Sequence, residues 1–239
     1  MSEAWKANLD GRTAVITGGS KGLGKAMALA LSAAGASIAL VSRDTEKLAE
    51  VRKEITNNGG TARVFAADVR IEENVARLTT EVAGQLGTVQ ILINNAGINI
   101  RKQLADFSLA EWNSVLETNL TSAFLMCRAF LPQMRGTGYG RILNMTSIMS
   151  HVSLAGRSAY SASKAGLLGL TRALALELAS DGITVNGISP GPFATEMNIP
   201  LMQDATANAQ FLESIPVHRW GKVEDIGTLA CYLCSDAAG

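Results

Sequence analysis

The 239 residues are enough to bury a sizeable core and read as one domain, 1–239, while a formal net charge of zero presents no basic field to nucleic acid. No apolar run reaches the roughly 18 residues of a membrane span, and the opening MSEAWKANLDGR lacks the apolar segment of a secretory signal. Three cysteines, Cys127, Cys231 and Cys234, cannot all pair within one chain, so reduced thiols and a cytoplasmic location are expected. Cys231 and Cys234 form a C-x-x-C in a helical period, with only two histidines elsewhere. They read as small buried hydrophobes, and no metal site is expected.

Short apolar runs alternate along the chain with stretches of helical period. The runs cover 13–17, 37–41, 62–67, 89–94, 141–146 and 183–189; the helical stretches cover 23–34, 45–57, 72–86, 109–135, 159–180 and finally 223–235. Strands apolar throughout and separated by helices predict an α/β fold, a single Rossmann-type doubly wound parallel sheet with helices on both faces. Such a sheet binds ligands at the carboxyl ends of its strands. Four of the five prolines fall in the segment after Ser189, which shows no clear strand and reads as a lid or substrate loop over about 190–215.

The first strand runs directly into TGGSKGLG, which places Gly18, Ser20, Lys21, Gly22, Leu23 and Gly24 at a strand-to-helix turn. Glycines there let backbone N–H groups and the helix dipole meet a pyrophosphate, although a plain glycine turn has the same composition. About 20 residues on, the second strand ends in VSRD. Ser42 and Arg43 stand where the adenosine ribose is met, and a guanidinium holds a 2′-phosphate bidentately. NADP(H) is favoured and NAD(H) is the alternative. Asp44 either repels that phosphate or caps the next helix. Further on, SAYSASKAG sets Tyr160 and Lys164 four residues apart, on one face of a helix. A nearby cation lowers a phenol's pKa from about 10 and fits it for proton exchange with an alcohol or carbonyl.

TGxxxGxG, NNAG at 94–97, an asparagine in ETNL, Ser147 thirteen residues before YSASK, and a PG after the sixth strand occur together and in this order. In that combination the chain resembles the short-chain dehydrogenase/reductases over nearly its whole length. The resemblance implies NAD(P)-dependent hydride transfer between a secondary alcohol and a ketone. It implies that Tyr160 is general acid and base, that Lys164 lowers the Tyr160 pKa and bonds the nicotinamide ribose, and that Ser147 bonds the substrate oxygen. Asn119 would distort its helix and hold a water toward Lys164. Asp68 would accept from the adenine amino group beside Val69, and Asn95, Ala96 and Gly97 would line the adenosine side. Pro190, Gly191 and Phe193 would border the nicotinamide, and Thr195 would bond its carboxamide. Members usually continue into a seventh strand, which appears to be missing from a chain ending in SDAAG. A homo-oligomer, dimer or tetramer, is implied without its symmetry.

Within the family, NNAGINIRKQ, PGPFATEMN and PVHRWGKVEDIG look most like gluconate 5-dehydrogenases and related sugar-acid or polyol dehydrogenases. Arg101, just after the fourth strand, either pairs with a substrate carboxylate or is a solvated loop residue beside Lys102. The alternative is a 3-oxoacyl-(acyl-carrier-protein) reductase, for which Arg128, Arg135 and Arg172 would meet an acidic carrier. A remote alternative is a dinucleotide sensor that has the fold without turnover.

Overall fold

Every residue of the run TAVIT is buried, as a strand covered on both faces requires, and it forms the first strand, β1 (Thr13–Thr17), of a computed structural model that describes residues 7–239. The first six residues, part of the stretch read for a secretory signal, lie outside the described residues. The other strands are β2 (Ser37–Ser42), β3 (Ala62–Ala66), β4 (Ile91–Asn94), β5 (Gly140–Met145) and β6 (Ile183–Ile188). They pair in parallel in the order β3-β2-β1-β4-β5-β6, six strands among the described residues, with β3 and β6 at the edges. The order reverses between β1 and β4, which opens a crevice at their carboxyl ends.

The pleat sends alternate side chains to opposite faces. Ala14, Ile16, Ile38 and Leu40 join one core with α1 (Gly22–Ala33), α2 (Thr45–Asn57) and α9 (Val223–Cys234). Val15, Ala39, Val41 and Leu92 join the other with α3 (Glu72–Leu86), α5 (Ser122–Met134) and α6 (Ser158–Leu178). Cys127, Cys231 and Cys234 are buried in these cores. Asp44 caps α2 by accepting from the Lys47 N–H at 3.1 Å, which resolves its role in favour of the cap. No helix among the described residues is long and apolar enough to cross a membrane.

The helical stretch over 109–135 is α4 (Leu109–Leu116), a π-helical turn at Glu117–Thr121 and α5, with the expected distortion at Asn119. The segment over 190–215 is partly helical, with α7 (Ile199–Gln203) and α8 (Ala205–Glu213). Asp204, accepting from the Thr206 and Ala207 N–H groups, starts the second of these; the prolines had obscured it.

Candidate active site

A cavity of about 710 Å³ lies along the carboxyl ends of the strands. At one end, Gly18 has φ +65°, and a Cβ there would stand 2.9 Å from Asn95 Nδ2. Thr17 Oγ1 accepts from the Asn95 and Ala96 N–H groups, both at 3.0 Å. Asn95 Nδ2 in turn donates to the Thr17 and Gly18 carbonyls at 3.0 and 3.1 Å, so its side chain holds the turn in shape. Ser20, Lys21, Gly22 and Leu23 line the cavity; Gly24 does not. A Cβ on Gly24 would lie 2.3 Å from the Gly18 carbonyl oxygen, so this glycine lets α1 pack against the turn.

Ser42, Arg43, Asp68 and Val69 line the same end. Arg43 Nη1 lies 3.9 Å from Asp68 Oδ2, and Asp68 takes a fork from Arg70, Nε to Oδ1 at 2.9 Å and Nη2 to Oδ2 at 2.6 Å. The Arg70 hydrogen bonds hold the Asp68 carboxyl below its ordinary value. An adenine amino group would therefore share an acceptor that Arg70 already occupies. Arg70 is not among the expected residues, although a cation two places beyond a strand-end aspartate is visible in the sequence.

At the other end, Tyr160 and Lys164 lie one turn apart on α6, with Ser147 after β5. The Lys164 ammonium donates to the Met145 carbonyl at 2.5 Å and sits 5.8 Å from the Tyr160 ring centre. Burial lowers Lys164 to about 8. Burial raises the phenol above its ordinary value, opposed by the Ser147 hydrogen bond and the Arg157 charge. Gly97 lets this end close up, since a Cβ there would lie 3.2 Å from Asn119 Oδ1 and 3.6 Å from Lys164 Nζ.

Asn119 is buried in the π-helical turn, behind the cavity wall. Its Oδ1 accepts from the Ile98 N–H at 2.8 Å, while Nδ2 donates to the Ile98 carbonyl at 2.9 Å and to Ser163 Oγ at 3.0 Å. The amide thus clamps the strand that leaves NNAG to the helix carrying Tyr160.

Pro190, Gly191, Phe193 and Thr195 line the roof, with Thr195 Cγ2 3.5 Å from where a Gly22 Cβ would stand. Arg101 also lines the cavity, and its Nη2 donates to Asn198 Oδ1 at 3.3 Å. Arg157, Glu196 and Asn198 are lining residues that were not expected. The signal for Arg157 was its place three residues before Tyr160; the other two lie in the segment read as a lid or substrate loop.

Six cationic side chains line the cavity against two acidic ones, Asp68 and Glu196, in a chain of zero net charge. Both acids are already paired, with Arg70 and Lys21 respectively. An extended anion fits this lining, and the glycine turn admits its phosphates.

A family profile described as short chain dehydrogenase matches residues 12–206. The 3-oxoacyl-(acyl-carrier-protein) reductase of Staphylococcus epidermidis is 37% identical over 228 residues, covering 95% of this chain and 93% of its own. The acetoacetyl-CoA reductase of Shinella zoogloeoides is 39% identical, with coverage of 95% and 92%. Among solved structures, a gluconate 5-dehydrogenase from Burkholderia cenocepacia, in complex with NADP and tartrate, superposes with a TM-score of 0.92 at 33% identity, covering 97% of this chain and 91% of that one.

Proposed function

The chain belongs to the short-chain dehydrogenases and is an NAD(P)-dependent oxidoreductase acting on CH–OH and carbonyl groups; from that premise we propose that it uses NADP(H) on a sugar acid or polyol, as a gluconate 5-dehydrogenase does. One observation carries the substrate class: Arg101 opens into the same cavity as Tyr160 and Ser147 and is held there by Asn198. A guanidinium placed so meets a carboxylate while the hydroxyl carbon faces the phenol.

In this reading Gly18, Gly22 and the Lys21 ammonium hold the cofactor's phosphates, and Arg43 holds the 2′-phosphate, with Ser42 beside it. When bound, the cofactor supplies or takes up the hydride. Tyr160 gives its proton to the carbonyl oxygen in reduction and removes it from the hydroxyl in oxidation. Ser147, which lines the cavity with the phenol, orients the substrate oxygen toward it. Lys164 places a charge beneath both, and Asn119 fixes the wall on which they stand. A cytoplasmic, single-domain protein that assembles as a dimer or tetramer belongs to the same proposal. The exposed Leu109 and Phe124 on α4 and α5 suit such an assembly.

The reductases of acyl thioesters among the relatives support a second reading, a 3-oxoacyl-(acyl-carrier-protein) reductase. Two of the three basic residues that would meet an acidic carrier are already in exposed surface pairs, while Arg172 has no ion pair among the described residues. Arg128 is paired with Glu72, and Arg135 with Asp181 at 3.1 Å. An assay with NADPH against 5-ketogluconate, acetoacetyl thioesters and simple ketones decides between them. Turnover of the keto acid is expected, and activity on thioesters alone would sink the sugar-acid reading. Tyr160→Phe should lower kcat by about 10²–10⁴-fold with cofactor affinity unchanged, as a proton-transferring group requires.

A further inference from the structure

Arg157 breaks a local rule without a local reason. It occupies the N-cap of α6, a 21-residue helix, where serine, threonine, aspartate or asparagine is favoured and a cation opposes the helix dipole. Its side chain lines the cavity and has no hydrogen bond or ion pair among the described residues. Burial and the charge of Arg101 both hold the guanidinium below its ordinary value, while Tyr160 acts in the opposite sense. Two like charges thus share one end of the cavity. The acid nearest in the lining, Glu196, is engaged 2.6 Å from Lys21, and Glu111, below the same loop, is engaged by Lys102 at 2.5 Å. Arg101 has only the neutral Asn198 as partner, so most of its N–H donors remain available.

Local rules are broken at functional sites, where a ligand supplies the missing partner. We propose that Arg157 and Arg101 together clamp the substrate's carboxylate, so that this end of the site selects carboxylates. Arg157 is then the specificity-determining residue that the sugar-acid reading above lacked, and the inference rests on that reading. Its position one turn before Tyr160 gives the clamp a mechanical use. A carboxylate held there fixes the rest of the substrate at a set distance from the phenol.

Calorimetry on the protein loaded with NADPH, which cannot oxidise a hydroxy acid, tests this without turnover, using D-gluconate and the neutral D-gluconamide. The wild type should bind gluconate best. Arg157→Gln should weaken gluconate about 10–100-fold, the range of a charge-assisted hydrogen bond, and move gluconamide less than about threefold. Arg157→Lys retains the charge without the fork, should lose about 3–10-fold, and carries the test should the glutamine variant not fold. Equal losses for gluconate and gluconamide would make Arg157 a structural cap and overturn the proposal. Unchanged gluconate affinity in Arg157→Gln would overturn it while leaving the sugar-acid reading intact. A wild type that binds gluconamide as well as gluconate would defeat both.

Discussion

Lys21 Nζ and Glu196 Oε2 meet at 2.6 Å, so a residue of the glycine turn is tied to the roof segment that follows Thr195. The two side chains come from opposite sides of the cavity mouth, and the cation is the one proposed above to meet the cofactor's phosphates. A bound phosphate must therefore compete with a carboxylate for Lys21. Surface pairs of this kind contribute about 0–1 kcal/mol, so the competition is mild. Glu196→Gln should tighten NADP binding about 2–5-fold in a fluorescence titration, and should speed proteolysis of the 196–213 segment. Weaker NADP binding in the variant would show that Glu196 orients Lys21 for the phosphate.

Arg43 is 68% exposed in its side chain and rests 3.9 Å from Asp68, a contact too long and too wet to fix it. It is available for the 2′-phosphate, and nothing in the fold depends on it. Arg43→Ala should lower the ratio of kcat/KM for NADP to that for NAD about 10–100-fold, through loss of a charge-assisted contact that NAD lacks. Its melting temperature should stay within about 1 °C. If the ratio is unchanged, the 2′-phosphate is read elsewhere, and Arg70 is the next residue to vary.

How much of this was legible depended on whether neighbours in sequence are neighbours in space. The β-α alternation gave the six strands, because strands buried on both faces leave an apolar run that needs no long-range information. Tyr160 and Lys164 share a helix face, so their spacing already placed them together. Arg101 and Asn198, by contrast, are 97 residues apart and meet only because the roof folds back. The fork between Arg70 and Asp68 was local but had no pattern to announce it. The burial that raises the Tyr160 phenol could not be read, since it belongs to the finished cavity.

Gly24 offers a test of the turn that leaves the cavity's chemistry alone. An added Cβ would meet backbone at 2.3 Å and the Asn95 amide at 2.5 Å, so α1 or the turn must move. Overpacking of this kind costs about 1–3 kcal/mol, and for a chain of this size each kcal/mol lowers Tm by about 2–4 °C. Gly24→Ala should melt several degrees lower and bind NADP at least about tenfold more weakly. Gly84→Ala, at a glycine of α3 with open space around it, controls for the general effect of replacing a helical glycine. A cofactor affinity lost equally in both would mean that the turn itself is not the cause.

Lys164 is buried and held to about 8, below its ordinary value of about 10.5, by desolvation. The unfolded chain therefore binds this proton more tightly than the folded one. The stability cost is fully present below about pH 8 and is relieved as pH rises from about 8 to 10.5. Lys164→Met removes the buried charge at similar volume and loses one bond to the Met145 carbonyl. At pH 7 the variant should melt no lower than the wild type while losing most of its turnover, because the phenol then has no cation beneath it. The difference in Tm between the two should shift in favour of the wild type as pH rises through that window. A difference that stays flat from pH 7 to 10 would mean that Lys164 keeps its ordinary affinity for the proton in the folded state, with the cost of burial offset by partners other than Met145. Oxidation by the wild type should, in the same series, climb with pH into the alkaline range, since burial keeps the Tyr160 phenol protonated beyond its ordinary value.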